Sequence, residues 1–150
     1  MTAGLAHAAQ SAVFTALSGS SALDALLARH MDDATRPGIY APAPQPDDAG
    51  NNALFPYITL GEDTLNDWST DTSSGADVVV HVHIWSRKRS WLEPKQIAAA
   101  VYSALHRQPL STPAHDFVDC HFDGEQIIRD DDGITLHIQA DYRMLLEASD

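Results

Sequence analysis

Residues 76–88 read ADVVVHVHIWSRK, and the alternation within them decides the fold. Val78, Val80, Val82 and Ile84 fall on one side of an extended chain, while Val79, His81, His83 and Trp85 fall on the other. A period of two held that long predicts the central strand of an antiparallel sheet, with one apolar face for a core and one polar face left uncovered. Upstream, Pro56–Thr64 predicts a partner strand with Tyr57, Thr59 and Gly61 on one face and Ile58 and Leu60 on the other. The stretch between them, LNDWSTDTSSGA, is polar and expected to form an exposed loop, the whole connection running from Glu62 to Ala76. Downstream, Leu92–Arg107 carries Ile97, Val101 and Leu105 at four-residue steps, flanked by Ala98, Tyr102 and Ala104, which predicts a helix. Pro94 sits in its first turn, where a missing N–H leaves no helical bond unmade.

The rest of the chain extends this pattern in both directions. Leu5, Ala9, Ala12, Val13, Ala16 and Leu17 recur at helical spacing, and Gly19 supplies a stop. Ser21 is placed to cap a short second helix with Leu23, Leu26 and Leu27 inward and Asp24 near its positive end, running out near Asp32. In RPGIYAPAPQPDDAGNN, residues 36–52, Pro42, Pro44 and Pro46 cannot donate ladder hydrogen bonds; an extended linker is expected, with Ile39 and Tyr40 making a brief edge contact. Pro113 keeps the next connection irregular. Asp116–Arg129 predicts a strand with Phe117, Asp119, His121 and Asp123 opposite Val118, Cys120 and Phe122, and a bulge at Gly124. Asp130–Gly133 is a hairpin turn into Ile134–Leu146, where Ile134, Leu136, Ile138 and Ala140 oppose Thr135, His137, Gln139, Asp141 and Arg143. The expected fold is α+β, a four-stranded largely antiparallel sheet with helices packed on one face, in the order α-α-β-β-α-β-β and as one domain over residues 1–150.

Composition narrows the function classes. A hydrophobic content of 44% with 20% charged residues excludes global disorder. No apolar run reaches the ~18 to 20 residues of a membrane span, and the N-terminal run lacks the basic region of a secretory signal. Cys120 is the only cysteine, so no intrachain disulfide or thiolate zinc cage can form, which is compatible with a reducing compartment. The formal charge of −12, from 21 acidic against 9 basic side chains, denies the surface a footprint for DNA phosphates and would repel anionic lipid.

No pattern of catalytic residues emerges. There is no G-x-S-x-G elbow, no phosphate-binding Gly-rich loop, and the acid pairs Asp47–Asp48 and Asp130–Asp132 lie where turns favour aspartate. His81, His83, His121 and His137 share the uncovered sheet face, with Asp119 or Asp141 as possible carboxylate companions; a metal site could be built from them, but a polar face toward solvent or a subunit explains them better. No metal or other cofactor is therefore expected. Arg87, Lys88 and Arg89 form either a solvated strand end or a contact to an acidic patch on a neighbouring subunit. Trp68 and Trp91 lie in loops and Trp85 on the open face, each an interface anchor unless it folds back onto the core. The candidate interface is Trp68, His81, His83, Trp85, Arg87, Lys88, Arg89 and Trp91.

FPYITLGEDTLNDWSTDT at 55–72, VHVHIWSR at 80–87, IAAAVYSALH at 97–106 and the closing two-strand unit together resemble the small tail-completion proteins of siphophages and gene transfer agents. That family is similar in fold to the phage tail terminator. The resemblance implies a non-enzymatic virion structural protein that assembles as a homo-oligomeric ring, usually of six copies, on the last ring of the major tail-tube protein. It would end tube polymerisation, face the head-side connector or neck protein at the head-proximal end of the tail, and be assembled in the bacterial cytoplasm. DNA would pass through the lumen without specific binding, and no membrane is involved. A head-tail joining protein of the neck is the nearest alternative; a metal-binding module or enzyme on the histidine face is the other. The long polar loops are expected to be mobile until a partner orders them.

Overall fold

The computed structural model describes residues 4–41, 54–110, 112 and 115–148. In chain order the elements are α1 (Leu5–Ser18), α2 (Ser21–Leu26), β1 (Ile39–Tyr40), β2 (Tyr57–Asp67), β3 (Gly75–Ser86), α3 (Leu92–Leu105), β4 (His115–Arg129) and β5 (Leu136–Ala148). The strands form one sheet in the order β1-β2-β3-β5-β4, with β3 in the middle as its alternation demands. The α+β class is as expected, but the sheet has five strands and is mixed. β1 adds to β2 in parallel, pairing Ile39 with Ile58 and Tyr40 with Thr59. A two-residue strand shows no period, so only its edge contact was legible. The other three pairings are antiparallel.

One face of the sheet carries the core. Val78, Val80, Val82 and Ile84 of β3 are fully buried, as are Ile58 of β2 and Ile138, Met144 and Leu146 of β5. Against them pack Leu5, Ala9, Val13 and Leu17 of α1, Leu23 of α2, and Ile97, Val101 and Leu105 of α3, in a single contiguous apolar cluster. Burying each such aliphatic side chain contributes about 1.5–3 kcal/mol before entropy is counted. The C-terminus of α3 is tied to β4, because the Arg107 N–H donates to the Cys120 carbonyl at 2.7 Å and the Phe122 N–H donates to His106 Nδ1 at 3.0 Å.

Several boundaries differ from the sequence expectation, each for a local reason. Strand β2 runs to Asp67, beyond Thr64, because a register shift between Gly61 and Thr64 absorbs the extra residues and pairing with β3 resumes. The predicted loop from Glu62 to Ala76 thereby shrinks to residues 68–74, closed by Trp68 N–H to the Gly75 carbonyl at 3.0 Å. In β4 the expected shift at Gly124 is present, and a second one between Phe117 and Asp119 reverses the facing there: Phe117 packs on the core and Val118 is exposed. Ser20 rather than Ser21 caps α2, accepting from the Leu23 N–H at 3.2 Å. That helix ends at Leu26, well short of Asp32, and α3 ends at Leu105, before Arg107.

Strand β5 starts at Leu136, not Ile134. The Asp132 carboxylate accepts from the Ile134 N–H, the Thr135 N–H and the Thr135 hydroxyl at 2.7–2.8 Å, which lengthens the turn and leaves Ile134 60% exposed. Pro42, Pro44 and Pro46 of the expected linker, the Asp47–Asp48 pair and Pro113 lie outside the described residues.

Candidate functional site

Strand pairing assembles the open face of the sheet. β2 sets Tyr57, Thr59 and Gly61 opposite Trp85, His83 and His81 of β3; β5 sets His137, Gln139 and Asp141 opposite the same three residues. Trp85 lies at the centre. Its indole stacks on His137 with centroids 3.9 Å apart and planes at 12°, and its Nε1 donates to Thr59 Oγ1 at 3.0 Å. Tyr57 stacks on its other side at 6.2 Å. His83 Nδ1 and His137 Nε2 are 2.8 Å apart, so one neutral ring donates to the other.

This packing makes the face drier than its composition suggests. His137 is only 7% exposed, and burial, followed by the charge of His83, pushes its pKa down to about 4. Burial also lowers the pKa of His83. Both rings are therefore neutral at physiological pH. The other two histidines serve separate carboxylates: His81 Nδ1 lies 2.6 Å from Asp141 Oδ1, which also accepts from Gln139 Nε2 at 3.1 Å, and His121 Nδ1 lies 2.9 Å from Asp119. The four histidines thus share a face but do not converge. Among the described residues no group of three or more His, Cys, Asp or Glu is arranged to hold a metal ion. Cys120 points into the core on the other face, and burial pushes its pKa up to about 12, so it is no nucleophile.

The remaining candidates separate to the two ends of the sheet. Trp68, 41% exposed, adjoins the first residue of β3. Arg87, Lys88 and Arg89 follow the last, about 35 Å away at ~3.3 Å per residue. Gly75 beside Trp68 is there for space, since a Cβ on it would lie 2.8 Å from the Trp68 carbonyl oxygen. At the other end Arg87 donates to Thr135 Oγ1 at 3.1 Å, pairs with Asp132 at 3.8 Å and stacks its guanidinium 4.4 Å over Phe55. Lys88 pairs with Glu93 of α3 at 3.3 Å, and the same Glu93 accepts from Ser86 at 2.8 Å. Trp91 precedes α3 and packs partly on the core.

The sequence as a whole matches the family model described as "Tail completion protein gp17" over residues 11–147. The chain belongs to that family. Among curated proteins it is similar to the tail completion protein gp17 of Bacillus phage SPP1, 28% identical over 88 residues that cover 59% of this chain. The match spans 65% of the length of that relative. Among solved structures, a chain of the virion of a native gene transfer agent (GTA) particle superposes with a TM-score of 0.75 at 23% identity, covering 93% of this chain and 94% of the other. The bacteriophage SPP1 gp17 protein gives 0.57 at 23% identity, covering 93% and 89%. These two show that the fold is shared.

Set within that family fold, the chain's own residues make three separate surfaces: the stacked aromatic and histidine face, the Trp68 turn and the basic strand end. Sequence reasoning missed Arg129 and Ile134, which the β4–β5 turn brings beside Arg87–Arg89 to line a cleft of about 550 Å³. The available signal was positional, since Arg129 and Ile134 bracket a turn that an antiparallel pairing of β5 with β3 must return to the end of β3.

Proposed function

We propose that this chain is a non-enzymatic structural component of a phage or gene transfer agent tail, acting as the tail terminator. Copies form a ring, six in number, on the last ring of the major tail-tube protein, end tube polymerisation and offer the opposite surface to the connector or neck at the head-proximal end. Each chain acts as a single domain, assembled in the bacterial cytoplasm. The observation that carries the proposal is the family match over residues 11–147, which takes in β1 to β4, α3 and all but the last residue of β5. The SPP1 relative's printed name, tail completion protein, supports the tail role.

The charge fits a conduit. Six copies multiply the −12 formal charge sixfold, and acid lining a lumen repels DNA phosphates rather than holding them. His83 and His137, whose pKa values burial lowers, stay neutral at physiological pH and add nothing to that balance. Cryo-electron microscopy of purified particles tests the placement: one sixfold ring of this chain between tail tube and neck is expected, and copies distributed along the tube or confined to the head would overturn it.

A further inference from the structure

Strand β4 is the last strand of the sheet, so one of its sides meets no other strand. The end of α3 closes the middle of that side, where Cys120 accepts from the Arg107 N–H and the Phe122 N–H donates to His106 Nδ1. Cys120 and Phe122 therefore turn their backbone groups outward, and in an antiparallel ladder every second residue does so. The register shift between Phe122 and Gly124 moves that set to the odd positions. The Asp130 N–H donates back across the turn to the Thr135 carbonyl, which fixes the same phase from the other end. The outward groups are those of Glu125, Ile127 and Arg129, and among the described residues nothing bonds to them.

The side chains of these three residues share a face. They stand opposite Ala140, Ile138 and Leu136 of β5, and Ala140 and Ile138 are buried beneath the helices. On this outermost strand Ile127 is instead 50% exposed. Glu125 and Arg129 are exposed too, and neither joins an ion pair among the described residues. At ~3.3 Å per residue they stand about 13 Å apart, too far to pair with each other.

An exposed apolar residue between opposite charges on an open edge is complementary to itself. Laid antiparallel on a second copy about a twofold axis at Ile127, the run EQIIR sets Ile127 against Ile127 and each Glu125 against the other copy's Arg129. The same register joins every outward group, since three N–H and three C=O in each copy make six bonds. Other arrangements do worse. Parallel pairing puts like charges side by side, and a slip of two residues sets Arg129 against Ile127.

We propose that this edge, Glu125–Arg129, pairs two copies of the chain in solution as a twofold dimer with one sheet running through both. The contact is separate from the ring proposed above, whose seams join unlike surfaces. It covers a strand edge that would otherwise invite indiscriminate pairing. The formal charge of −12 on each copy opposes association, and the seam is shorter than the about 20–30 residues a side of a stable complex, so the dimer is weak and concentration-dependent.

Sedimentation equilibrium of the soluble chain tests it. A monomer–dimer equilibrium is expected, and a chain that stays monomeric up to about 1 mM would overturn the pairing. E125R and R129E each turn both charge pairs repulsive and are expected to weaken dimerisation at least tenfold. E125R/R129E exchanges the charges within one chain and is expected to return to within threefold of wild type. An equimolar mixture of the two single variants is expected to form the mixed dimer, because each supplies the charge that the other lacks. Dimerisation unchanged in both single variants would overturn the proposal. So would failure of both the double variant and the mixture to recover while each protein unfolds at the wild-type temperature. Amide exchange read by NMR on the wild type needs no variant: Glu125, Ile127 and Arg129 are expected to slow as concentration rises, while Gln126 and Ile128, already bonded to β5, keep their rates. A dimer that leaves those three amides unprotected would place the seam elsewhere and overturn the assignment. No tail is present in these measurements, so their outcome is independent of whether the ring exists.

Discussion

Replacing His137 with Gln should flatten the dependence of stability on pH. In the folded chain His137 titrates near 4, against 6.5 as its ordinary value, because it is buried under Trp85 and hydrogen-bonded to His83. Below pH 6.5 the unfolded chain takes up a proton that the folded chain refuses, so stability is full above 6.5 and falls as pH drops toward 4. One proton changes stability by about 1.4 kcal/mol per pH unit, so the whole interval costs up to about 3 kcal/mol. Glutamine keeps an amide that can donate to or accept from His83 but cannot titrate. Urea unfolding midpoints measured from pH 4 to pH 8 should therefore show the wild type losing close to one proton's worth of slope more than H137Q. The comparison cancels groups not in contact with position 137, such as Asp132, held down to about 2. Parallel curves for the two proteins would refute the buried, neutral His137 on which the description of the open face depends.

Three further outcomes follow from the packing. Ile84→Ala, at a fully buried site in the central strand, should cost about 2–5 kcal/mol in denaturant unfolding, far more than Ile134→Ala at its exposed turn position. Gly75→Ala puts a methyl 2.8 Å from the Trp68 carbonyl oxygen and should destabilise by about 1–3 kcal/mol while red-shifting Trp68 emission as the turn opens. Asp132→Ala removes three hydrogen bonds from the β4–β5 turn, so the amides of Ile134 and Thr135 should exchange with solvent faster while those of β3 keep their protection.

Much of this architecture was readable before any coordinates. The alternation from Val78 to Trp85 gave the central strand and both of its faces, and the four-residue steps of Ile97, Val101 and Leu105 gave the helix laid on one of them. What escaped had no period to carry it. Ile39–Tyr40 is too short, the shifts in β2 and β4 reset the alternation midway, and the three bonds of Asp132 delay β5 by two residues. The candidate site was legible as a set of residues but not as a place. Two histidines that look wet by alternation, His83 and His137, hydrogen-bond to each other beside Trp85, because three aromatic or imidazole rings on adjacent strands cover one another without a helix above. Trp68 and Arg87, neighbours in a list of unusual residues, stand at opposite ends of β3 because the whole of that strand, Gly75–Ser86, lies between them.

The central claim, that this chain ends the tail, is tested most directly by the length distribution of tails in particles made without it, measured by negative-stain electron microscopy. Tails that exceed the wild-type length and lack heads are predicted. Tails of wild-type length lying beside DNA-filled heads would contradict termination and assign the chain to head-tail joining instead.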